Sequence, residues 1–381
     1  MLKDYNDLLV NGYQINSLQT VPLDIAALNI MLADSTDKRS EYKIATDFCK
    51  TVRDNMVKSD IATMLSKRWD KDIAEVKDYI KVRGNNDEEL LQKMHGFDDC
   101  WTDMKKFMSE EGTGLGFKSL DESIGGIKRK EVVLLGAYTN QGKSFLAAKI
   151  AAHRLLKYND NVMIFSMEMP RGQFLQEIIL EILHMNERTF LDTIKTQEGA
   201  KLFEQVKEKL ERKLIIVDEP SKNIDDLWKF TQLAQANDFN VDFVVFDHFH
   251  LIPNIDDIPT LTENANKMKD YVKHFNLRLL MLCQFNEESQ MSVYGKKAKP
   301  SEPILKNVKG ANALKAIADV VLLVWRPYFT DVGLDPIERE KIRYDTGIKI
   351  GKQRRRLKGE IKFTYRWNPR DNSLQEVVTD N

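Results

Sequence analysis

The sequence is poor in cysteine and histidine, and neither residue type forms a metal or disulfide motif. The three cysteines, Cys49, Cys100 and Cys283, stand far apart, and the six histidines are scattered over 381 residues. Structural zinc sites and disulfide frameworks require such residues at short, defined spacings. The sequence therefore excludes both kinds of framework and predicts reduced cysteines, as in a cytoplasmic protein.

Long apolar runs and a strong net charge are also lacking. No run is long enough to cross a bilayer as a helix, and Met1–Tyr5 shows no signal-peptide core. We therefore expect a cytoplasmic protein with no membrane partner. The formal net charge is -1, so the chain is not a globally basic nucleic-acid binder, and any such contact needs local basic clusters.

The first part of the chain has the apolar spacing of helices and little glycine. Apolar residues recur with a helical period in Leu23–Leu32, Tyr42–Val57 and Ile73–Val82. This pattern predicts that residues 1–96 form a small all-helical domain. Because no chemical motif occurs in it, we expect this domain to serve in packing or assembly. Residues 97–116 predict a linker that consists of an amphipathic helix and a glycine-rich hinge.

Residues 117–381 alternate between short apolar runs and segments with helical spacing. This alternation predicts an α/β domain with a mostly parallel sheet and helices on both faces. The runs that predict strands begin at Val132, Val162, Lys213, Phe243, Leu279 and Ala318, and a hairpin follows at residues 347–365. Ligands of such sheets bind beyond the carboxyl ends of the strands, so the residues at these ends are the candidates for function.

The first strand leads into the segment that carries the clearest chemical signal, Val132–Ser144. A loop of small and polar residues ends in Gly142-Lys143-Ser144 and enters an apolar-periodic helix. Glycine lets backbone N–H groups approach phosphate oxygens, lysine adds positive charge, and the serine hydroxyl ligates Mg²⁺. The pattern predicts a nucleotide phosphate site, and the alternative is an ordinary turn between strand and helix. The candidate binding residues are Ala137, Asn140, Gln141, Gly142, Lys143, Ser144 and Phe145.

Three other predicted strands end in polar residues. Glu168 ends the second strand, Asp247 the fourth and Gln284 the fifth. One carboxylate beside a phosphate loop can polarise an attacking water, and another can hold Mg²⁺ through water. Glu168 fits the first role, Asp247 fits the second, and the Gln284 side chain suits contact with a γ-phosphate. The alternatives are a capping or surface glutamate, a turn aspartate and a polar strand end.

The predicted hairpin has a basic tip, with Lys352 and three consecutive arginines from Arg354. One interpretation is a basic turn that only faces solvent. The other is that Lys352 and an arginine reach a phosphate on a neighbouring subunit, as arginine fingers do.

Taken in order, these motifs resemble the DnaB-type hexameric replicative DNA helicases, a branch of the RecA-like motor ATPases. The resemblance covers about residues 112–370 and begins at Thr113–Asp121, which looks like the lead-in to the family's motor core. The family's phosphate loop often has alanine at the place of Ala137. The other matching segments are Ile124-Gly-Gly-Ile, Phe165-Ser-Met-Glu-Met-Pro with Gln173, Asp247-His-Phe-His-Leu, Gln284-Phe-Asn and Lys352-Gln-Arg.

The resemblance implies a fold, cofactors and a role for each polar residue. The implied fold is a RecA-like motor domain behind a small helical collar domain, and the implied cofactors are ATP and Mg²⁺. Glu168 corresponds to the catalytic glutamate, Asp247 to the metal-side aspartate and Gln284 to the γ-phosphate sensor. Lys352 and Arg354 correspond to a lysine and an arginine finger that act on a neighbouring subunit.

The segment before the sixth strand resembles the family's DNA-contacting loop. On that alignment Lys309, Gly310 and Asn312 face single-stranded DNA in a central channel. Family members usually have an arginine, an acidic residue and a glycine there, and many have arginine where this chain has Glu287. Both departures concern the DNA contacts and leave the motor motifs intact.

The sequence thus predicts an ATP-driven replicative helicase that forms a ring and unwinds duplex DNA as it moves along one strand. The resemblance implies six subunits, movement from 5′ to 3′, and forked DNA, a primase and a helicase loader as partners. The expected location is a replication fork in the cytoplasm, cellular or viral. One alternative is a RecA-like recombination or strand-exchange ATPase that forms filaments. Another is a non-unwinding ATPase that acts as an assembly or loading protein.

Overall fold

The computed structural model of the protein describes residues 23–33, 35, 37–52, 55–77, 96–218, 223–252, 257–286, 302–330, 334–355 and 361–377. The chain divides into two compact units, Met1–Ser109 and Glu110–Asn381. The division falls inside the predicted linker, and the domain boundaries at residues 96 and 116 stay a prediction. Within the described ranges, no helix combines the length and the hydrophobicity that crossing a lipid bilayer requires.

The described residues of the first unit form helices and no strands, as predicted. Its helices are α1 (Leu23–Ala33), α2 (Lys38–Thr51), α3 (Asn55–Trp69) and α4 (Phe97–Ser109). Leu28 of α1 and Leu65 of α3 are fully buried in one core with Ala45 of α2. The prediction of a single helix over Tyr42–Val57 is wrong, because α2 and α3 both turn apolar residues to this core and the apolar spacing continues across the break. Of the predicted helix Ile73–Val82, residues 73–77 are helical and the rest lies outside the described residues.

Among the described residues of the second unit, nine strands form one sheet in the order β3-β2-β4-β5-β1-β6-β7-β8-β9. They are β1 (Val132–Ala137), β2 (Val162–Ser166), β3 (Leu214–Val217), β4 (Phe243–Asp247), β5 (Arg278–Gln284), β6 (Val320–Trp325), β7 (Asp345–Gln353), β8 (Ile361–Trp367) and β9 (Leu374–Glu376). Strands β3 to β6 in that order pair in parallel, and β7, β8 and β9 continue the sheet antiparallel. The predicted parallel sheet and the hairpin of β7 and β8 are confirmed.

Among the described residues of the second unit, one helix precedes β1 and at least one helix lies in each connection from β1 to β7. They are α5 (Lys118–Ile124), α6 (Lys143–Lys157), α7 (Arg171–Leu183), α8 (Glu187–Thr193), α9 (Gln197–Leu210), α10 (Ile224–Ala236), α11 (Ile258–His274), α12 (Ala311–Ile317), α13 (Pro327–Thr330) and α14 (Pro336–Lys341). The predictions do not include α8 and α9, although each begins at a capping residue. Asn186 accepts a hydrogen bond from the Thr189 N–H at 2.8 Å, and Thr196 accepts one from the Gly199 N–H at 3.0 Å.

Helices cover both faces of the sheet because the central strands are apolar on both sides. Every residue of β1 is buried. On one face, Leu135 and Ile150 belong to a core that α5, α6, α7 and α9 close. On the other face, Leu134 and Met268 belong to a core that α10, α11 and α12 close. The carboxyl ends of the parallel strands therefore meet the loops at one edge of the sheet.

The start of α11 differs from the prediction. Apolar spacing predicts a helix from Glu263, whereas the structure begins it at Ile258. The earlier start has a local cause, because the Asp257 carboxylate accepts a hydrogen bond from the Thr260 N–H at 3.0 Å. Pro259 fits the first turn, where its missing N–H has no partner to lose.

Candidate functional site

The carboxyl ends of four adjacent strands bring most of the predicted site residues together. Ala137 at the end of β1 pairs in register with Gln284 at the end of β5, and Ser166 at the end of β2 pairs with Asp247 at the end of β4. Since β2, β4, β5 and β1 are consecutive in the sheet, these ends form one continuous edge. Glu168 lies in the turn after β2, not on the strand as predicted, because β2 ends at Ser166.

The loop between β1 and α6 presents an open backbone surface. Asn140 and Gly142 have φ angles of 61° and 86°, in the left-handed region that asparagine and glycine adopt most readily. A Cβ atom at Gly142 would meet no described atom within 4 Å, so the space in front of it is open. Within the described residues, no side chain caps the first turn of α6. Its N–H groups and its positive dipole end are therefore available to an anion.

Lys143, the first residue of α6, lies between two carboxylates. Its side chain is 8% exposed, and its Nζ lies 3.2 Å from Oδ1 of Asp247 and 3.3 Å from Oε2 of Glu168. Asp247 is fully buried, and its Oδ2 accepts a hydrogen bond from the Ser144 hydroxyl at 2.7 Å. A buried carboxylate is stable only with a positive or hydrogen-bonding partner. Lys143 and Ser144 supply both.

The chemistry of this cluster fits a divalent cation that prefers oxygen ligands. Oδ1 of Asp247 is buried and forms the ion pair with Lys143, but it accepts no hydrogen bond from any described residue. One ligand atom from each of Glu168, Asp247 and His248 lies within 4.8 Å of the other two. Mg²⁺ takes one or two carboxylates, keeps several waters and accepts a hydroxyl oxygen. Ser144 and Asp247 suit Mg²⁺ in atom type and in proximity.

The Glu168 carboxylate is 47% exposed and stays ionised because of its neighbours. The His248 imidazole, whose Nδ1 lies 3.3 Å from Oε2, and then the charge of Lys143 lower the pKa of Glu168 to about 2. An ionised carboxylate at this place can orient a water molecule or accept its proton. Movement of Lys143 towards a phosphate would weaken its hold on Glu168 and make that carboxylate a stronger base.

A cavity of about 210 Å³ opens beside the loop between β1 and α6. Its lining residues are Asn140, Gln141, Gly142, Phe145, Leu146, Arg326, Thr346 and Trp367. The backbone N–H of Arg326 donates to Oε1 of Gln141 at 3.1 Å, and the rings of Phe145 and Trp367 meet edge to face at 6.0 Å. Aromatic rings and guanidinium groups are the side chains that stack on a flat base, so the cavity suits the base of a nucleotide.

Four lining residues of this cavity are absent from the sequence predictions: Leu146, Arg326, Thr346 and Trp367. Arg326 directly follows β6, so the rule that strand ends carry function could have identified it. Thr346 and Trp367 lie on the antiparallel strands β7 and β8. Their position at this edge depends on the pairing register of Gly347 with Trp325, which no local motif encodes.

The predicted DNA-contacting segment is joined to the same edge. The Lys309 N–H donates to the Gln284 C=O at 3.2 Å, and Val308 forms an antiparallel bridge with Phe285. The Phe285 N–H in turn donates to the C=O of Ala137 at 3.1 Å. Backbone hydrogen bonds therefore run from the end of β1 through the end of β5 into the segment that carries Lys309.

Gly310 and Asn312 lie where this segment enters α12. Gly310 has a φ of 69°, a conformation that glycine adopts readily, and a Cβ atom there would come within 2.4 Å of Cδ1 of Leu261, so a larger residue would also displace that side chain. Asn312 is exposed in the first turn of α12. Glu287, the position at which many relatives have arginine, lies outside the described residues.

The family described as DnaB-like helicase C terminal domain matches residues 112–370. The match covers more than half of the 381 residues and contains all of the clusters described above. The chain belongs to this family. The resemblance of its motifs to the DnaB-type replicative helicases is thereby confirmed.

Curated members of this family with similar sequences are replicative helicases. The replicative DNA helicase DnaB of Buchnera aphidicola subsp. Acyrthosiphon pisum (strain APS) is 20% identical over 269 residues, which are 68% of this chain and 56% of that protein. The DnaB helicase of Mycoplasma genitalium (strain ATCC 33530) is 22% identical over 296 residues, which are 74% of this chain and 58% of that protein. The chain thus spans little more than half the length of these curated relatives.

Solved structures of DnaB-like helicases share the fold. One solved ATPase domain has a TM-score of 0.61 at 16% identity, and the match covers 75% of this chain and 100% of that domain. A DnaB-like replicative helicase studied with primase has a TM-score of 0.62 at 16% identity, and the match covers 93% of this chain and 83% of that protein. At such identities the likeness shows the fold alone. The predicted RecA-like α/β fold is confirmed.

The two residues predicted to act as fingers, Lys352 and Arg354, lie at the opposite end of the sheet strands. Lys352 pairs with Val321 near the start of β6, whereas Gly347 pairs with Trp325 at its end. At a rise of about 3.3 Å per residue, roughly 13 Å of strand separates these two levels. The structure does not bring Lys352 and Arg354 to the phosphate loop of their own chain.

Lys352 and Arg354 instead contact residues at and just after the C-terminal end of α12. Nζ of Lys352 donates to the C=O of Ala318 at 2.8 Å and to that of Lys315. Nη1 of Arg354 lies 3.1 Å from Oδ1 of Asp319. A cation at a helix C-terminus stabilises the helix dipole, so within one chain these contacts also have a purely structural value.

Proposed function

We propose that the protein is an ATP-driven replicative DNA helicase that assembles into a ring and moves along single-stranded DNA. The observation that carries this proposal is the cluster of Lys143, Ser144, Glu168 and Asp247, beside which the segment with Lys309 is hydrogen-bonded to β5. A motor needs a direct structural connection between its hydrolytic site and its DNA contact, because ATP hydrolysis must move the residues that hold the DNA. Membership of the DnaB-like family supports the same function.

ATP binds with its phosphates against the loop between β1 and α6. Lys143 turns from its two carboxylates to the β- and γ-phosphates, and Ser144 and Asp247 hold Mg²⁺. Mg²⁺ held by these two residues would supply positive charge that offsets the charge of the phosphates. Glu168 orients the attacking water and takes its proton, and the Gln284 side chain contacts the γ-phosphate. The base lies in the cavity beside Trp367.

A ring of identical subunits is supported by two features. Lys352 and Arg354 lie at the far edge of the sheet from their own phosphate loop, so they can act only on ATP bound to a neighbour. In addition, α4 exposes an apolar stripe with helical spacing, in which Phe97, Trp101 and Met108 are 77%, 47% and 72% exposed. Such a stripe usually marks an interface with another surface. The family resemblance suggests six subunits.

The remaining partners follow from the family. One DnaB-like helicase has been studied in its interactions with primase, and we extend primase, a helicase loader and forked DNA to this protein as proposed partners. The proposed direction is 5′ to 3′, at a replication fork in the cytoplasm. Residues 1–96 would then be the assembly domain, 97–116 the linker and 117–381 the motor domain.

The mass of the protein in solution tests the ring directly. Light scattering is measured with and without a non-hydrolysable ATP analogue and single-stranded DNA. We expect the analogue to favour one discrete species of six chains of 44.1 kDa each. A mass that grows without limit as the DNA is lengthened contradicts the ring and supports a recombinase-like filament. ATP turnover that DNA leaves unchanged supports a non-unwinding assembly protein.

The DNA contact is tested by Lys309→Ala. We expect weaker binding of single-stranded DNA by a similar factor for every sequence, because a lysine contacts the backbone and not the bases. Loss of one phosphate contact should reduce the slope of log K against log salt by about 0.7. Fluorescence anisotropy with labelled oligonucleotides at several salt concentrations measures both. Lys201→Ala, at an exposed position on α9, is the control, and an unchanged slope for Lys309→Ala places the DNA contact elsewhere.

A further inference from the structure

His250 connects three segments of the candidate motor site. It lies in the turn Phe249–Leu251, three residues after Asp247. Its Nδ1 accepts a hydrogen bond from the backbone N–H of Gln284 at 3.3 Å, and its Nε2 lies 3.0 Å from the backbone C=O of Lys309. The Lys309 N–H also donates to the Gln284 C=O. These bonds close a ring among the loop after β4, the end of β5 and the predicted DNA segment.

A single form of the imidazole satisfies both of its bonds. The Gln284 N–H is a donor, so Nδ1 must offer a lone pair, and the Lys309 C=O is an acceptor, so Nε2 must carry a proton. This is the neutral tautomer with its proton on Nε2. Burial lowers the pKa of His250 to about 4, so the imidazole is neutral near pH 7 and holds both contacts.

We propose that His250 is a positioning residue that couples the nucleotide site to the DNA-contacting segment. This inference rests on the proposed function, which gives Asp247 and Lys309 their roles. His250 lies three residues after Asp247, in the turn that follows β4, so a shift of the end of β4 on nucleotide binding carries the imidazole with it. The imidazole then displaces the backbone of Gln284 and Lys309 together. The coupling runs through three contacts that are each within hydrogen-bond distance.

The alternative is that His250 only fills space behind the site. Filling space depends on the volume of the side chain and not on its hydrogen-bonding pattern. Leucine supplies apolar volume with neither an acceptor nor a donor, whereas glutamine carries an amide oxygen and an amide nitrogen on one carbon. The pair His250→Leu and His250→Gln therefore separates packing from hydrogen bonding.

The test compares these two variants with the wild type and with His274→Leu, an exposed histidine at the C-terminal end of α11. ATP turnover and KM are measured with and without a dT oligonucleotide. We expect His250→Leu to reduce the stimulation by DNA about tenfold, as for the loss of one buried hydrogen bond, with little change in the KM for ATP. His250→Gln should recover most of the stimulation, and His274→Leu should behave as the wild type does.

Hydrogen exchange gives a second readout that does not depend on catalysis. The backbone amide of Gln284 should exchange its hydrogen about tenfold faster in His250→Leu, since it loses its acceptor there. His250→Gln and His274→Leu should leave this rate unchanged. Unchanged exchange at Gln284, or equal stimulation of His250→Leu and the wild type by DNA, overturns the inference while the proposed function stands. A wild type that DNA does not stimulate contradicts the proposed function and the coupling together.

Discussion

Lys143→Ala should lower ATP turnover by about 10²- to 10³-fold, the usual effect of removing one group that stabilises developing charge in a transition state. The Lys143 side chain is almost fully buried, and its Nζ lies within 3.3 Å of both Glu168 and Asp247. Without it, Glu168, Asp247 and an incoming triphosphate lose the cation that lies between the two carboxylates. Steady-state turnover at saturating ATP and Mg²⁺ measures the loss.

The control for this change is Lys157→Ala, in the last turn of the same helix and exposed to solvent. It removes the same charge from α6 at the end far from the loop and should leave turnover unchanged. Loss of Lys143 also leaves the buried Asp247 without its cation, which destabilises a fold. The thermal unfolding of the variant must therefore be recorded beside its activity. Turnover close to that of the wild type in a folded Lys143→Ala protein contradicts the phosphate-site assignment.

The residues that sequence reasoning identified are those whose position follows either from a local motif or from the topology of the sheet. Lys143 belongs to a local motif, and the motif carries its own chemistry. Glu168, Asp247 and Gln284 are far apart in the chain, yet each could be predicted because parallel strands deliver their carboxyl ends to one edge. The structure brings all four together. Their catalytic roles stay predictions that the variants above test.

The residues that sequence reasoning missed depend on pairing and on backbone partners. Trp367 reaches the cavity beside the loop between β1 and α6 only because β8 pairs with β7 in one register, and a shift of one residue would turn its side chain to the other face. His250 bonds the backbone groups of Gln284 and Lys309, and backbone groups leave no signature in a sequence. Apolar spacing likewise predicted one helical segment across the end of α2 and the start of α3. The spacing indicates which face of a helix is buried and not where the helix ends.

In the proposed function, residues at the two ends of the sheet strands act on ATP bound to different subunits. Nucleotide and DNA candidates lie at the carboxyl edge, where Ala137, Asp247 and Gln284 end their strands. Lys352 and Arg354 lie at the other edge, about 13 Å of strand away. In the proposed function, a subunit therefore completes its site only with a neighbouring copy that presents this other end of the sheet, and hydrolysis takes place at an interface. This arrangement predicts a pattern of rescue that no single-chain enzyme can show.

Arg354→Ala should reduce ATP hydrolysis about 10³-fold or more, the effect expected for an arginine that stabilises charge on the γ-phosphate. It should leave ATP binding near the wild-type level, because Arg354 contacts Asp319 and not the phosphate loop of its own chain. Turnover and equilibrium binding of a fluorescent ATP analogue measure the two effects separately. The matched control is Arg355→Ala, at the next position of the hairpin, whose guanidinium pairs with Glu131 of its own chain at 2.8 Å.

Mixing Arg354→Ala with Lys143→Ala decides whether the arginine acts across the interface. Each protein alone should be inactive, but a mixed ring contains interfaces in which an intact Lys143 meets an intact Arg354 of the next subunit. Activity should therefore reappear on mixing, and only after conditions that let subunits exchange. Two inactive proteins that stay inactive together, or an Arg354→Ala protein that hydrolyses ATP normally, contradict action in trans. In that case the contacts of Arg354 with α12 and Asp319 are its function, and the stabilising cation must come from elsewhere in the ring.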